Sequence, residues 1–200
     1  CIVSVDVTTA AYNGYLRPLT AHWNAEPESF RQAWSDDVLA AARWEGELYG
    51  LPSWGGVYAE VYNRELVEKA GLDPTKPPAT WEEYLAWARK LTGDDRWATA
   101  ILGGKTDTTT RTLLAWIYSN GGRPFDDTMT EARFAADPRS LEAIRFYLGL
   151  ADEGVAAPGA VTTNYLEQTT LFAQGKIATM RNAYWSIAKV LGDNPAMAGK

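Results

Sequence analysis

The sequence predicts an α/β fold, strands alternating with helices, in two packed units joined by a bend. Extended runs at residues 1–7, 57–62, 97–102 and 176–180 alternate with helical patterns that carry their own start and stop signals. The stretch 44–63 reads as a strand that leaves one packed unit, bends at Trp54-Gly55-Gly56 and enters another. At 200 residues the chain is long enough for one large domain or for two small lobes with real cores.

Residues 1–7 form a continuous β-branched run, expected as a buried parallel strand with Cys1 a small buried residue on it. A short helix follows and closes near Gly14. Residues 30–34 and 37–42 are expected as short helices, with Asp36 as an N-cap. Trp23, Phe30 and Trp34 are expected in the core. Trp44 to Leu51 then form a hairpin turning at Gly46, and Pro52 ends its second strand because it offers no N–H to a ladder. Val57, Tyr58, Ala59, Val61 and Tyr62 make the next strand, buried on most of its surface.

The helix from Arg64 to Ala70 is closed by Gly71. Thr80 and Glu83 form a capping box, and Trp81, Tyr84, Leu85, Ala88 and Leu91 share one face of the helix it opens. After the strand at 97–102, a helix capped by Asp107 or Thr108 runs through Ser119 and stops at Asn120-Gly121-Gly122. Asp137 and Pro138 supply the N-cap and first position of another helix, with Leu141, Ile144, Tyr147, Leu148 and Ala151 as its buried face. Residues 165–173 are helical, Gly175 turns into the last strand, and Trp185 lies just past it.

Composition narrows the function. Apolar residues make up 46% of the chain, which places it among globular proteins. No apolar run approaches the roughly 20 residues a membrane helix needs. The net charge is −6 and no basic cluster interrupts it, so nucleic acid is not an expected partner. One cysteine and one histidine leave no internal disulfide and no zinc ligand set; neither metal nor cofactor is expected. Aromatic residues reach 12%, with nine Trp. Most fill cores, but such rings also stack on the C–H faces of pyranoses while polar groups take the hydroxyls.

Several strings carry a resemblance. They are Glu45-Gly46-Glu47 with Tyr49-Gly50-Leu51-Pro52, Val61-Tyr62-Asn63, Lys69-Ala70-Gly71, P-P-A-T-W-E-E-Y at 77–84, Asn120-Gly121-Gly122, and F-A-Q-G-K-I-A-T-M-R-N-A-Y-W at 172–185. Through them the chain resembles the bacterial extracellular solute-binding proteins of ABC importers, in the sugar-binding branch with the maltose and trehalose binders. The resemblance implies an α/β, periplasmic-binding-protein-like type II fold, two lobes with mostly parallel sheets flanked by helices, incomplete at both ends, because members begin earlier and continue further. Residues 1–56 would be part of lobe one, ending at the hinge crossover, and residues 57–200 most of lobe two.

The resemblance also implies a set of ligand-binding residues. In those relatives a strand-end Asp accepts bonds from sugar hydroxyls, and Asp6 sits at that place; a helix N-cap is its other use. The strand-to-helix turn before 111 faces the cleft, so Asp107 and Arg111, one helical turn apart, are candidates for a polar clamp, or else form a surface ion pair. The relatives' Trp just past the last strand stacks on the sugar, and Trp185 falls there, with Tyr184 beside it; a core position on the helix to Leu191 is its other use. Ala183 replaces the usual Gly and narrows backbone access. Trp54 and Gly55, at the bend, complete the set, with the two indoles sandwiching a saccharide.

The implied protein is the substrate-binding component of an ABC transporter. It captures a sugar or oligosaccharide in an interlobe cleft and delivers it to the membrane permease subunits. It is expected to be an extracytoplasmic monomer, in the periplasm or tethered at the surface as a lipoprotein whose anchor is not in this chain. An enzyme needs a positioned nucleophile, acid or metal, and no such motif appears. Two alternatives stay open: a glycoside hydrolase using a carboxylate pair, and a fragment that binds nothing by itself.

Overall fold

The computed structural model describes residues 4–53, 55–93, 95–127 and 130–200. They divide into two units, Cys1–Gly55 and Gly56–Lys200. Cys1, Ile2 and Val3 lie outside the described residues, as does Trp54.

The first unit corrects the expected opening strand. Residues 4–7 belong to helix α1 (Ser4–Tyr12). Val7 and Ala11, one turn apart on it, are buried. The helix stops at Gly14, whose φ of 72° is left-handed. Three short helices follow: α2 (Thr20–Ala25), α3 (Glu28–Arg31) and α4 (Asp36–Ala40). Ser35, not Asp36, holds the N-cap of α4. The hairpin forms and turns where expected, β1 (Arg43–Trp44) against β2 (Glu47–Leu48), but its second strand ends at Leu48, short of Leu51 and Pro52. Glu45 and Gly46 have φ of 49° and 83°, the left-handed pair that a two-residue turn of type I′ requires. Trp23, Leu39, Ala42 and Leu48 make the core of this unit, with Trp34 packed on it. Phe30 is 41% exposed and packs at tilted ring angles on Trp23 and Trp34.

The second unit is built on a mixed sheet. β3 (Tyr58–Tyr62) pairs antiparallel with β4 (Thr179–Ala183), in a register that sets Tyr58 opposite Ala183 and Glu60 opposite Arg181. The approach to β4 then pairs in parallel with the next segment through Trp97 and Ile177, and that segment pairs in parallel with another through Thr99 and Ala156. Backbone bonds from Ala178 N to Trp97 O and from Ala157 N to Thr99 O extend both junctions. Four extended segments therefore lie in the order 155–157, 97–100, 177–183, 58–62, parallel at two junctions and antiparallel at the third.

Helices cover both faces of this sheet. The larger core gathers Val67 from α5 (Arg64–Lys69), Tyr84, Ala88 and Leu91 from α6 (Trp81–Leu91), Trp116 from α7 (Asp107–Ser119), and Tyr147 and Leu150 from α8 (Pro138–Asp152). The smaller joins Met180 and Ile177 to Phe172 and Ala173 of α9 (Tyr165–Ala173) and Val190 of α10 (Ser186–Asp193).

The helix starts follow local chemistry. Thr80 Oγ1 accepts from Glu83 N, while Glu83 reaches back to Ala79 N, one residue earlier than a full capping box requires. Asp137 caps α8 with Pro138 at its first position. The N-cap of α7 is Thr106, so Asp107 is its first helical residue; neither Asp107 nor Thr108 is the cap. The buried face of α8 is also rotated from the expected one: Ser140, Ala143, Tyr147 and Leu150 are buried, and Leu148 is 55% exposed.

Candidate functional site

The candidate site lies in the second unit, where the parallel segments end and their helices begin. Open α/β sheets place ligand groups there, because loops at the carboxyl ends of strands are free to vary while the sheet fixes their roots. The loop after residue 102 and the loop at 159–163 touch closely. Gly104 N donates to Thr163 O at 3.1 Å, and a Cβ on Gly103 would collide with the carbonyl of Ala160. This contact sets the position from which α7 leaves the sheet.

The first turn of α7 carries the polar pair. Arg111 Nη2 lies 2.9 Å from Asp107 Oδ2, and the Arg111 side chain is 30% exposed against 63% for Asp107. The guanidinium stands beside the Tyr58 hydroxyl at the start of β3. Burial raises the Tyr58 pKa, the Arg111 charge opposes that, and Asp107 and Tyr165 add to it. The phenol therefore stays protonated at neutral pH and offers a donor.

Trp185 immediately precedes α10, at the end of β4. Two tyrosines meet its indole edge-on: Tyr58 at 6.1 Å between ring centroids and Tyr184 at 5.6 Å. The ring also rests on the backbone of Gly56, where a Cβ would overlap Cζ3. Below this turn a buried amide chain ties three elements together. Asn182 Nδ2 donates to Gln168 Oε1 at 2.8 Å, Gln168 Nε2 donates to Ala100 O at 2.9 Å, and Asn182 Oδ1 accepts from Ala183 N. The turn that carries Tyr184 and Trp185 is thus held by α9 and by the central segment of the sheet.

Tyr58 therefore links Arg111, the partner of Asp107, to Trp185, whose indole Tyr184 also meets. Tyr58 was not among the expected site residues; its strand pattern marked only burial, and its place emerges from the register that brings it to Ala183. The close backbone approach expected at the bend is made by Gly56, whereas a Cβ on Gly55 would meet nothing within 4 Å. Asp6 is exposed in the first turn of α1, so the strand-end placement expected for it does not hold.

A second polar cluster lies further along the same strands. Glu60 and Arg181 are cross-strand partners, with Nε 3.3 Å from Oε2. Tyr84 Oη lies 3.2 Å from Glu60 Oε1, and the Arg181 guanidinium sits 3.7 Å from the centroid of Trp116. Burial raises the Glu60 pKa while Arg181 lowers it. Among the described residues no group of three or more His, Cys, Asp or Glu is arranged to hold a metal ion, and no helix is long and apolar enough to cross a membrane.

What the site offers chemically is ring faces, one carboxylate acceptor, and guanidinium and phenol donors. Hydroxyl groups on a carbon skeleton satisfy that combination.

The chain is similar to known proteins over most of its length. A solute-binding protein of an ABC transporter from Thermotoga lettingae TMO, solved with bound α-D-tagatose, is 30% identical with a TM-score of 0.85, covering 97% of this chain and 49% of that one. A protein of Brucella abortus (strain 2308) named as a binding protein is 30% identical over 173 residues, 85% of this chain and 40% of that protein. The maltotriose-binding protein of Pyrococcus abyssi (strain GE5 / Orsay) is 26% identical over 177 residues, 88% of this chain and 35% of that protein. This chain thus spans less than half the length of each of these relatives. The chain has a periplasmic-binding-protein-like type II fold, and with a match over residues 3–199 it belongs to the bacterial extracellular solute-binding protein family.

Proposed function

We propose that this chain belongs to the substrate-binding component of a bacterial ABC importer and binds a sugar, oligosaccharide or related polyol. The observation that carries the reading is that Tyr58 meets both the indole of Trp185, which Tyr184 also touches, and the Arg111 of the Asp107–Arg111 pair. The ligands named for the relatives, tagatose and maltotriose, are of the class this chemistry suits. The protein captures its ligand outside the cytoplasmic membrane and passes it to permease subunits, working as a monomer without a cofactor. Binding, not turnover, is its task. Asp107 is paired with Arg111 and Glu60 with Arg181.

The test is calorimetric titration with maltotriose, D-tagatose, D-mannitol and xylo-oligosaccharides, with an assay for released reducing sugar on the same samples. Saturable binding with the ligand recovered intact is the expected result. Release of new reducing ends would make the protein a hydrolase, and no binding by any of the panel would remove the sugar reading.

A further inference from the structure

We propose that Asp107 is a selectivity residue: by engaging Arg111 it fits the site to neutral vicinal diols and turns away anionic ligands of similar size, such as hexuronates and sugar phosphates. The proposal rests on the carbohydrate reading above and adds the charge of the ligand to it.

A guanidinium presents a fixed fork of N–H donors that matches a carboxylate or a phosphate, and shelter from water strengthens the match. Arg111 is the more sheltered member of its pair and lies beside a phenol hydroxyl held in its donor form. Alone, that combination would be an anion site. Asp107 changes it. Its carboxylate takes one edge of the fork, Nη2 to Oδ2 at 2.9 Å, while its own side chain remains largely exposed. An incoming anion must displace this carboxylate or settle next to it, and either course costs the charge–charge attraction that made the fork useful.

A vicinal diol faces no such conflict. Each hydroxyl both donates and accepts, so one donates to the Asp107 carboxylate while its neighbour accepts from Arg111 or Tyr58. The apolar face of the same molecule then lies on Trp185. The other charged pair along these strands, Glu60 with Arg181, is likewise internally matched and adds no free cation. Lys105, exposed in the loop before α7, is the cation to control for.

The experiment measures affinity by calorimetry for D-tagatose, D-mannitol and maltotriose against D-glucuronate, D-galacturonate and D-glucose 6-phosphate. It uses the wild-type protein, Asp107→Asn and Lys105→Gln. In the wild type, the best neutral ligand is expected to bind at least tenfold tighter than any anion. Asp107→Asn should gain at least tenfold for a hexuronate and lose several-fold for the neutral ligand, with the gain shrinking as salt is raised. Lys105→Gln should leave the neutral-to-anion ratio unchanged. A wild type that binds an anion as tightly as its best neutral ligand overturns the proposal, as does an Asp107→Asn protein with no gain for anions; both leave sugar binding standing. Absence of saturable binding by every compound would sink the carbohydrate reading and this proposal with it.

Discussion

The six-membered ring of Trp185 fills the space that a Cβ on Gly56 would need: the added carbon would overlap Cζ3 and lie 3.2 Å from Cη2. The backbone of Gly56 is not left-handed, so glycine is required here for room and not for conformation. Gly56→Ala must therefore move the indole or the start of β3. Affinity for the neutral ligand is expected to fall at least about tenfold, a change of roughly 1.4 kcal/mol, with the unfolding transition still cooperative. Calorimetry and a urea melt on the same sample check both halves.

The pair Glu60–Arg181 makes a different kind of prediction. Arg181→Met keeps much of the packing on Trp116 but leaves the Glu60 carboxylate sheltered without its cation. At pH 7 this is expected to cost on the order of 3 kcal/mol, and the double variant Glu60→Gln/Arg181→Met should recover most of it. The pH dependence has a definite sign. Burial already raises the Glu60 pKa, and removal of Arg181 raises it further. The folded state of Arg181→Met then binds more protons than the unfolded state between its raised value and the ordinary 4.5. The deficit should shrink as pH falls through that window and be smallest at its lower end, which urea melts from pH 7 downward would show.

Asp137 titrates in the opposite sense. Its carboxylate accepts from the hydroxyl and backbone N–H of Ser140 and from Arg123 N, which holds its pKa below the ordinary 3.8. A depressed carboxyl contributes stability that is complete above 3.8 and is lost as pH falls through the folded value. Asp137→Ala should therefore melt below the wild type at neutral pH, and the two curves should converge in acid. A gap that stayed constant into acid would show that the cap does not act through its charge.

Gly149 offers a stabilising change. It lies within α8, and a Cβ there would meet nothing within 4 Å. Gly149→Ala is expected to raise stability by about 0.5–1 kcal/mol, because glycine gives up more backbone freedom in a helix than alanine does. Equilibrium denaturation measures it directly.

The sequence displays parts of this architecture more openly than others. Thr80 with Glu83, Asp137 with Pro138, and Gly46 each act on backbone groups within a few residues, and each marks its element correctly. Trp185 could be placed because it follows a strand and precedes a helix in a string that resembles a known family. The opening segment, expected as a strand, is helical: its alternating β-branched residues suit a strand, while Val7 and Ala11, four residues apart, share one helix face. Its neighbours in space decide between the two, and they are distant in sequence. For the same reason Tyr58 looked like any buried strand residue, and the partnership of Glu60 with Arg181 could not be read before the register of β3 and β4 was known. The first helical residue of α7 is a near miss of another sort: Thr106, Asp107 and Thr108 all suit a helix start, and the loop contact with residues 159–163 decides where the helix begins.

The central claim is that a neutral, hydroxyl-rich ligand stacks on Trp185 beside the Asp107–Arg111 pair. The most direct measurement is the affinity of Trp185→Ala for the best neutral ligand of the wild type, taken by calorimetry together with its thermal unfolding. Loss of the ring should weaken binding at least about tenfold while unfolding stays cooperative, since stacking contributes on the order of 1 kcal/mol beyond the area it covers. A Trp185→Ala protein that binds as tightly as the wild type would contradict the account.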